Sequence, residues 1–298
     1  SARGFFAHQH KANTMKKIVL LLILFSGIGN AQIVNIPDAN FKAKLIALGV
    51  DWNSDGEIQV EEAEAQIQLL LTNSGIADLT GIEAFVNLVD LECDDNQLTA
   101  LDVSALTQLG NLRCQNNEIA SLDLSNNTVL GLLYCHDNPL VTLTIPETLD
   151  TLEYINANNT QINSLTLTGL ANLGSVDLMN SGTGNLAVSN LPMLFGINFN
   201  DNAQLISVSV TNCPALNSIG YMNLDQVQTM DFSGNTSLAN FDTDGVQSLQ
   251  TLNLSGCSSL NYILMTSQNN QLSSLDLTGC ASLTQLFLQN CSFTTFDI

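Results

Sequence analysis

Positive charge is almost missing from this sequence. Seven Lys and Arg stand against 28 Asp and Glu in 298 residues, a formal charge of −21. Residues 1–32 hold Arg3, Lys11, Lys16 and Lys17 and no acid, so the rest carries three cations against 28 acids, 3 − 28 = −25. Past Lys44 the sole cation is Arg113. Such a field repels phosphate backbones and anionic lipid, which excludes nucleic acid as a partner. It favours solubility and divalent cations, and a surface adapted to a saline habitat would carry the same charge.

Catalytic groups are just as scarce. Beyond residue 32 there is one histidine, His136, with Asp137 beside it. A Ser-His-Asp or Cys-His arrangement would have to use that imidazole, and no nucleophile elbow accompanies it. No H-E-x-x-H, P-loop or dinucleotide fingerprint occurs. Asp and Glu are plentiful, but nothing singles out a pair for glycoside hydrolysis. The expectation is a protein that is not an enzyme.

Long apolar runs are lacking too. Ile18–Phe25 is too short to span a bilayer; it follows the basic start Met15-Lys16-Lys17 and precedes the small-x-small site Gly29-Asn30-Ala31. Residues 15–31 therefore read as a secretory signal peptide, and residues 1–14 as upstream or added sequence. No Cys follows Ala31, which argues against a lipoprotein. The mature chain is expected at the surface of a bacterium or secreted from it, without membrane insertion, as a monomer.

What is present is a repeat. L-x-x-L-x-C-x-x-N-x-[L/I] begins at Leu88, Leu109 and Leu130 and places Cys93, Cys114 and Cys135 at a constant step of 21 residues. Further starts fall at Leu152, Leu173, Leu194, Leu216, Leu238, Leu260 and Leu283, with steps of 21 to 23. The sixth position then reads Ala157, Leu178, Phe199, Tyr221, Thr243, Met265 and Leu288. This period and pattern are those of leucine-rich repeats, in which one coil cannot bury its own apolar face and must stack on its neighbours. A second half-motif lies between these strands: SLDLSNN from Ser121, SLTLTGL from Ser164, TMDFSGN from Thr229, TLNLSGC from Thr251 and SLDLTGC from Ser274. Each coil should therefore hold two short parallel strands, one on each side. Its last slot holds Asn127, Cys213, Asn235, Cys257 or Cys280, where Asn can bond backbone groups of the adjoining turn and Cys fills the slot without that bond. Stacked coils point equivalent thiols the same inward way, so the seven cysteines are expected to be free.

Residues 32–66 form a separate helical cap, and residues 67–298 the solenoid, whose first coil is the degenerate Leu69, Leu71, Ile76. Pro37-Asp38 opens a helix with Phe41, Leu45, Ile46 and Leu48 on one face, closed by Gly49. Asp51–Glu62 then matches the EF-hand loop D-x-[DN]-x-[DN]-G-x5-E. Asp51, Asn53 and Asp55 would give side-chain oxygens to Ca2+ and Glu57 its carbonyl. Gln59 would act through water and Glu62 through both oxygens, while Gly56 permits the turn and Ile58 faces inward. A lone loop of this kind suits a structural calcium ion. The chain ends on the apolar half-motif Thr294–Ile298, so a truncated solenoid or a following domain is expected.

The outward fifth position of the repeat strands reads Glu92, Arg113, Tyr134, Asn156, Asp177, Asn198, Gly220, Asp242, Leu264 and Phe287. With Asp94, Gln115 and His136 at the seventh position, and Tyr154, it makes a patch of aromatics, carboxylates and the sole Arg. Those are residue types that interface hot spots use. The candidate partner-binding residues are Glu92, Asp94, Arg113, Gln115, Tyr134, His136, Tyr154 and Asn156, on the concave face.

These repeats resemble the 21-residue, cysteine-bearing repeats of the internalin J type. The cap IPDANFKAKL…DWNSDGEIQVEEA, followed by IADLTGIEAFVNL, is similar to the start of exported Bacteroidota leucine-rich-repeat proteins. The resemblance implies a curved, mainly β solenoid working in adhesion or protein recognition, with a protein or surface glycan as partner. A spacer presenting another domain is the alternative.

Overall fold

The computed structural model describes residues 32–220, 223–242, 246–265, 271–289 and 291–298. The signal-peptide reading of residues 15–31, and Tyr221 and Thr243 of the sixth-position column, lie outside the described residues.

The cap is held by one carboxylate. Asp38 accepts from the amides of Asn40 and Phe41 at 2.8 and 2.9 Å, capping helix α1 (Ala39–Ala47). Its second oxygen accepts from Ala77 and Asp78 at 2.9 and 3.1 Å, which ties the helix start to the first coil. Burial works against that charge, but the four amides outweigh it and hold the carboxyl below its ordinary range. At the other end the Gly49 amide bonds Ile46 O and the Val50 amide bonds Leu45 O, a Schellman closure for which Gly49 adopts φ 77°. Phe41 and Leu45, four residues apart, are buried, whereas Ile46 and Leu48 are exposed, so the apolar face is narrower than its sequence spacing implies. Helix α2 (Val60–Glu64) begins at the end of the Asp51–Glu62 loop.

From there the chain winds as a parallel β-solenoid. The strands opening each coil are β1 (Gln68–Leu70), β2 (Asp90–Glu92), β3 (Asn111–Arg113), β5 (Leu132–Tyr134), β7 (Tyr154–Asn156), β9 (Ser175–Asp177), β11 (Gly196–Asn198) and β13 (Ser218–Gly220). They pair in that order as one eight-stranded parallel sheet, and β15 (Asn240–Asp242), β17 (Tyr262–Met265) and β19 (Gln285–Leu288) continue the column in a three-stranded one. The other side carries β4 (Ser121–Asp123) with β6 (Thr142–Thr144). It continues through β8 (Ser164–Thr168), β10 (Asn185–Ser189), β12 (Ser207–Thr211), β14 (Thr229–Asp231), β16 (Thr251–Asn253), β18 (Ser274–Asp276) and β20 (Thr295–Asp297). Strands of three residues suffice because each shows its middle residue to the core and its flanks outward, as in Asp90–Leu91–Glu92.

The core is a set of columns running the length of the stack. Leu88 through Leu260 at the repeat starts are buried, and so are Cys93, Cys114, Cys135, Ala157, Leu178 and Phe199. The seven cysteines are all free thiols. Burial pushes the Cys135 thiol up to about 12 and raises those of Cys93 and Cys114, so the ladder is apolar filling.

Two polar devices recur along the stack between Asn96 and Asn202. Asn117 donates from Nδ2 to the carbonyls of Cys93, Cys114 and Gln115 at 3.0 to 3.2 Å and accepts from the Leu98 amide at 2.9 Å. Asn96, Asn138 and Asn202 do the same in their coils. One residue earlier the chain turns left-handed at Asp95, Asn116, Asp137, Asn159, Asn180 and Asp201, with φ between 51° and 59°. Asn and Asp are the non-glycine types that tolerate this region, so a position the repeat pattern left open is fixed by backbone geometry.

On the second side Asn127 and Asn235 donate to two carbonyls each. The cysteines that share this slot, expected to fill it without a bond, do make one. The Cys257 thiol reaches Phe232 O at 3.2 Å and the Cys280 thiol reaches Leu254 O at 3.2 Å. A thiol is a weak donor, yet it meets a carbonyl of the preceding coil, as the Nδ2 of Asn127 and Asn235 do.

Candidate functional site

Strict parallel register puts the outward residues of the eight-stranded sheet in rows. Glu92 pairs with Arg113, Arg113 with Tyr134, Tyr134 with Asn156, Asn156 with Asp177 and Asp177 with Asn198. Adjacent members stand one strand spacing apart, about 4.8 Å, close enough for long side chains to touch.

Side chains do touch, in one continuous relay in which Tyr154, from the adjoining row, takes the place of Asn156. The Glu92 carboxylate takes the Arg113 guanidinium at 2.7 Å. Arg113 lies 5.4 Å from the centre of the Tyr134 ring, and Tyr134 packs 5.2 Å from Tyr154 at a tilt of 57°. The Tyr154 hydroxyl donates to Asp177 Oδ2 at 2.6 Å. Burial, followed by that bond to a carboxylate, pushes the Tyr154 hydroxyl well above the usual phenol range. The Arg113–Glu92 pair is partly exposed to solvent and contributes on the order of 1 kcal/mol to stability. Its consequence is positional: five side chains from β2, β3, β5, β7 and β9 are held in one arrangement before any partner arrives.

The remaining candidates stand outside the relay. Asp94 is buried and accepts from the Thr72 hydroxyl at 2.9 Å, so it braces the first two coils and is not part of the exposed patch. Gln115 has a buried, unpaired Oε1. Asn156 accepts from the Asn158 amide at 3.2 Å. His136 meets Asp137 at 2.6 Å and, among the described residues, no Ser or Cys hydrogen-bonds its other nitrogen. The Nδ1–carboxylate half of a triad is there without a nucleophile.

In the cap, Asp51 accepts from the Asp55 and Gly56 amides at 3.2 and 2.9 Å, with Gly56 at φ 84°. Glu62 is buried; its Oε1 accepts from Trp52 and its Oε2 from Gln59, both at 3.0 Å. Asn53, Asp55 and Gln59 bond one another, and Glu57 pairs with Lys42 at 2.6 Å. The amide of Glu57, then the Gln59 side chain, holds the Asp55 carboxyl below its usual range. The donor set is all oxygen, which suits a hard cation such as Ca2+, with Asp51, Asn53, Asp55, the Glu57 carbonyl and Glu62 as its holders. Among the described residues, however, no three His, Cys, Asp or Glu side chains converge as a metal-holding group. In this conformation the loop is closed by its own hydrogen bonds.

The sequence reading missed the residues beside the relay. Met193 and Phe195 are exposed next to Tyr154, Glu153 and Ser175, around a depression of ≈ 390 Å³. A signal was there to be read: Ser175, Gly196 and Ser218 follow Leu132 and Tyr154 at the first outward position, a drop in side-chain size over three coils.

A period of 21 to 23 residues, one short parallel strand per coil on the sheet side, a leucine column and an asparagine ladder coincide here. The fold is a leucine-rich-repeat solenoid. Its neighbours among solved structures are proteins of the same kind. The functional domain of InlJ from Listeria monocytogenes, described as including a cysteine ladder, is 23% identical, with 89% of this chain and 68% of that one covered at a TM-score of 0.47. The internalin InlF of the same organism is 19% identical, with 90% and 94% covered and a TM-score of 0.44. A leucine-rich-repeat protein of Leptospira interrogans is 20% identical, with 79% and 75% covered and a TM-score of 0.37. No family model matches the sequence, and no curated protein matches it. Among the described residues no helix is long and apolar enough to cross a membrane.

Proposed function

We infer that this solenoid is a protein-binding module that works through the outer face of its eight-stranded sheet. The observation that carries this reading is the Glu92–Arg113–Tyr134–Tyr154–Asp177 relay, which gathers the sole cation past Lys44 and two tyrosines on an exposed sheet face. Aromatics and Arg dominate interface energetics when a partner desolvates them, and here their ordering cost is met in advance. The module is non-enzymatic, secreted or displayed at the surface of a bacterium, and serves adhesion or recognition. Its charge keeps it from nucleic acid and anionic membranes. The cap takes a structural Ca2+, a reading supported by the loop pattern and its all-oxygen donors; binding requires Asn53, Asp55 and Gln59 to release one another.

The test is a screen of the protein against arrays of surface and secreted proteins, with glycans alongside, comparing it with the Arg113→Ala, Tyr134→Ala, Tyr154→Ala triple variant. Protein binding lost in the variant supports the reading. Binding retained by the variant moves the site off the relay. A folded sample that binds nothing favours a spacer, and binding of glycans alone replaces the protein partner.

A further inference from the structure

Past Tyr154 the sheet face changes character. Ser175, Gly196 and Ser218 hold the first outward position of β9, β11 and β13, and Gly220 the last. With the side chains cut back, two adjoining depressions of ≈ 390 and ≈ 320 Å³ open, sharing Ser175 and Phe195.

Two aromatic rings border the first. Tyr154, on β7, leans forward far enough to reach Asp177 on β9. Phe195 immediately precedes β11 and leans back: a methyl placed on Gly174 would lie 3.0 Å from its ring. Their strands are two spacings apart, about 10 Å. The strand between them contributes only Ser175 at that level, preceded by Gly174. Both rings line the depression of ≈ 390 Å³ between these strands, which has room for a slender side chain against them.

The two carboxylates are the only charged side chains lining the two depressions: Glu153 in the first, Asp177 in the second. Among the described residues the Glu153 carboxylate has no hydrogen bond or ion pair, and the Asp177 carboxylate meets only the Tyr154 hydroxyl. A guanidinium or ammonium fits both features at once, because aromatic faces and carboxylates attract cations while the aliphatic stem packs on the rings. An anion is repelled. A neutral sugar would use the rings but would leave two carboxylates without a counter-charge.

We propose that the trough between Tyr154 and Phe195 is the subsite for an arginine or lysine side chain of a basic protein partner, with Glu153 and Asp177 as its counter-charges. This rests on the sheet face being a protein-recognition surface, and it assigns the chemistry of the partner.

The experiment titrates the protein with hexa-arginine, hexa-lysine, hexa-glutamate and maltohexaose at moderate ionic strength. Variants are Phe195→Ala, the Glu153→Gln/Asp177→Asn pair, and a control pair on the other side of the solenoid, Asp123→Asn/Asp276→Asn. The control removes the same charge, and its turns survive, since Asn253 already accepts from the Ser255 amide as Asp123 and Asp276 do from theirs. The expected result is binding of the cationic peptides alone, weakened about two- to fivefold by Phe195→Ala. The Glu153/Asp177 pair should weaken it further, and the control pair less than either. Equal weakening by both carboxylate pairs, no cationic binding, or maltohexaose binding lost with Phe195→Ala each overturns the proposal. A protein partner from the array that depends on Arg113 and Tyr134 but tolerates the Glu153, Asp177 and Phe195 changes overturns the subsite and leaves the recognition face standing.

Discussion

Tyr154 and Asp177, on strands separated by one coil boundary, share a hydrogen bond of 2.6 Å on the outer face of the sheet. The bond ties the aromatic half of the relay to its last carboxylate. It is strongest while the phenol keeps its proton, because ionisation would set two negative charges against each other.

The first prediction follows from that proton. A group whose folded pKa is raised stabilises the fold below its unfolded value, near 10 for tyrosine, and loses that contribution as pH rises through the folded value. Spectrophotometric titration should show a late-ionising component among the four tyrosines, absent in Tyr154→Phe. If the phenol missing from the variant's curve is one that ionises with the ordinary tyrosines, the hydroxyl is not held by Asp177.

The asparagine ladder should be costly to interrupt. Asn117→Ala leaves three carbonyls and the Leu98 amide without their partner in a buried turn, at about 1–3 kcal/mol. Asn126, exposed and with one carbonyl contact, should tolerate Ala within about 0.5 kcal/mol. Urea unfolding of both variants decides it; similar losses would mean the ladder bonds add nothing beyond ordinary turn contacts.

Asp38 gives the cap a pH dependence. Its folded pKa is depressed, so its contribution is present above the unfolded value near 3.9 and disappears as pH falls through the folded one. Asp38→Ala should cost about 1 kcal/mol at pH 7, the usual worth of a helix cap. The gap from the parent should close below pH 4, as the parent's own carboxyl protonates. A gap that stays constant to pH 3 in denaturant melts would place the loss elsewhere.

Calcium is tested on the cap through Trp52, the sole tryptophan, which sits exposed in the loop. Adding Ca2+ should change its fluorescence and raise the melting temperature, by linkage worth about 2.7 kcal/mol at 100 times Kd. Chelation should reverse both, and Glu62→Gln should respond to neither. A parent protein that ignores the ion would remove calcium from the cap and leave the Asp51 and Glu62 bonds as a purely polypeptide closure.

The sequence by itself determined the repeating architecture. Leu88 through Leu260 name the buried column, Cys93, Cys114 and Cys135 the ladder beside it, and the fifth-position residues the outward row that the register confirms. A solenoid makes this legible because each coil sees only its neighbours, so a residue's place in the period fixes its direction. Other features were decided only when the coils stacked. Asp94 alternates like an outward residue but is drawn into a bond with Thr72 from the coil before. Ile46 and Leu48 match the helical period yet face solvent, while Phe41 and Leu45 are the residues of that face that are buried. The trough beside Tyr154 exists because Ser175, Gly196 and Ser218 coincide across strands while Phe195 folds back over Gly174. Period sets where a side chain points; which neighbours it reaches depends on side-chain volume and rotamer in adjoining coils, 21 to 23 residues away in sequence and about 4.8 Å away in space.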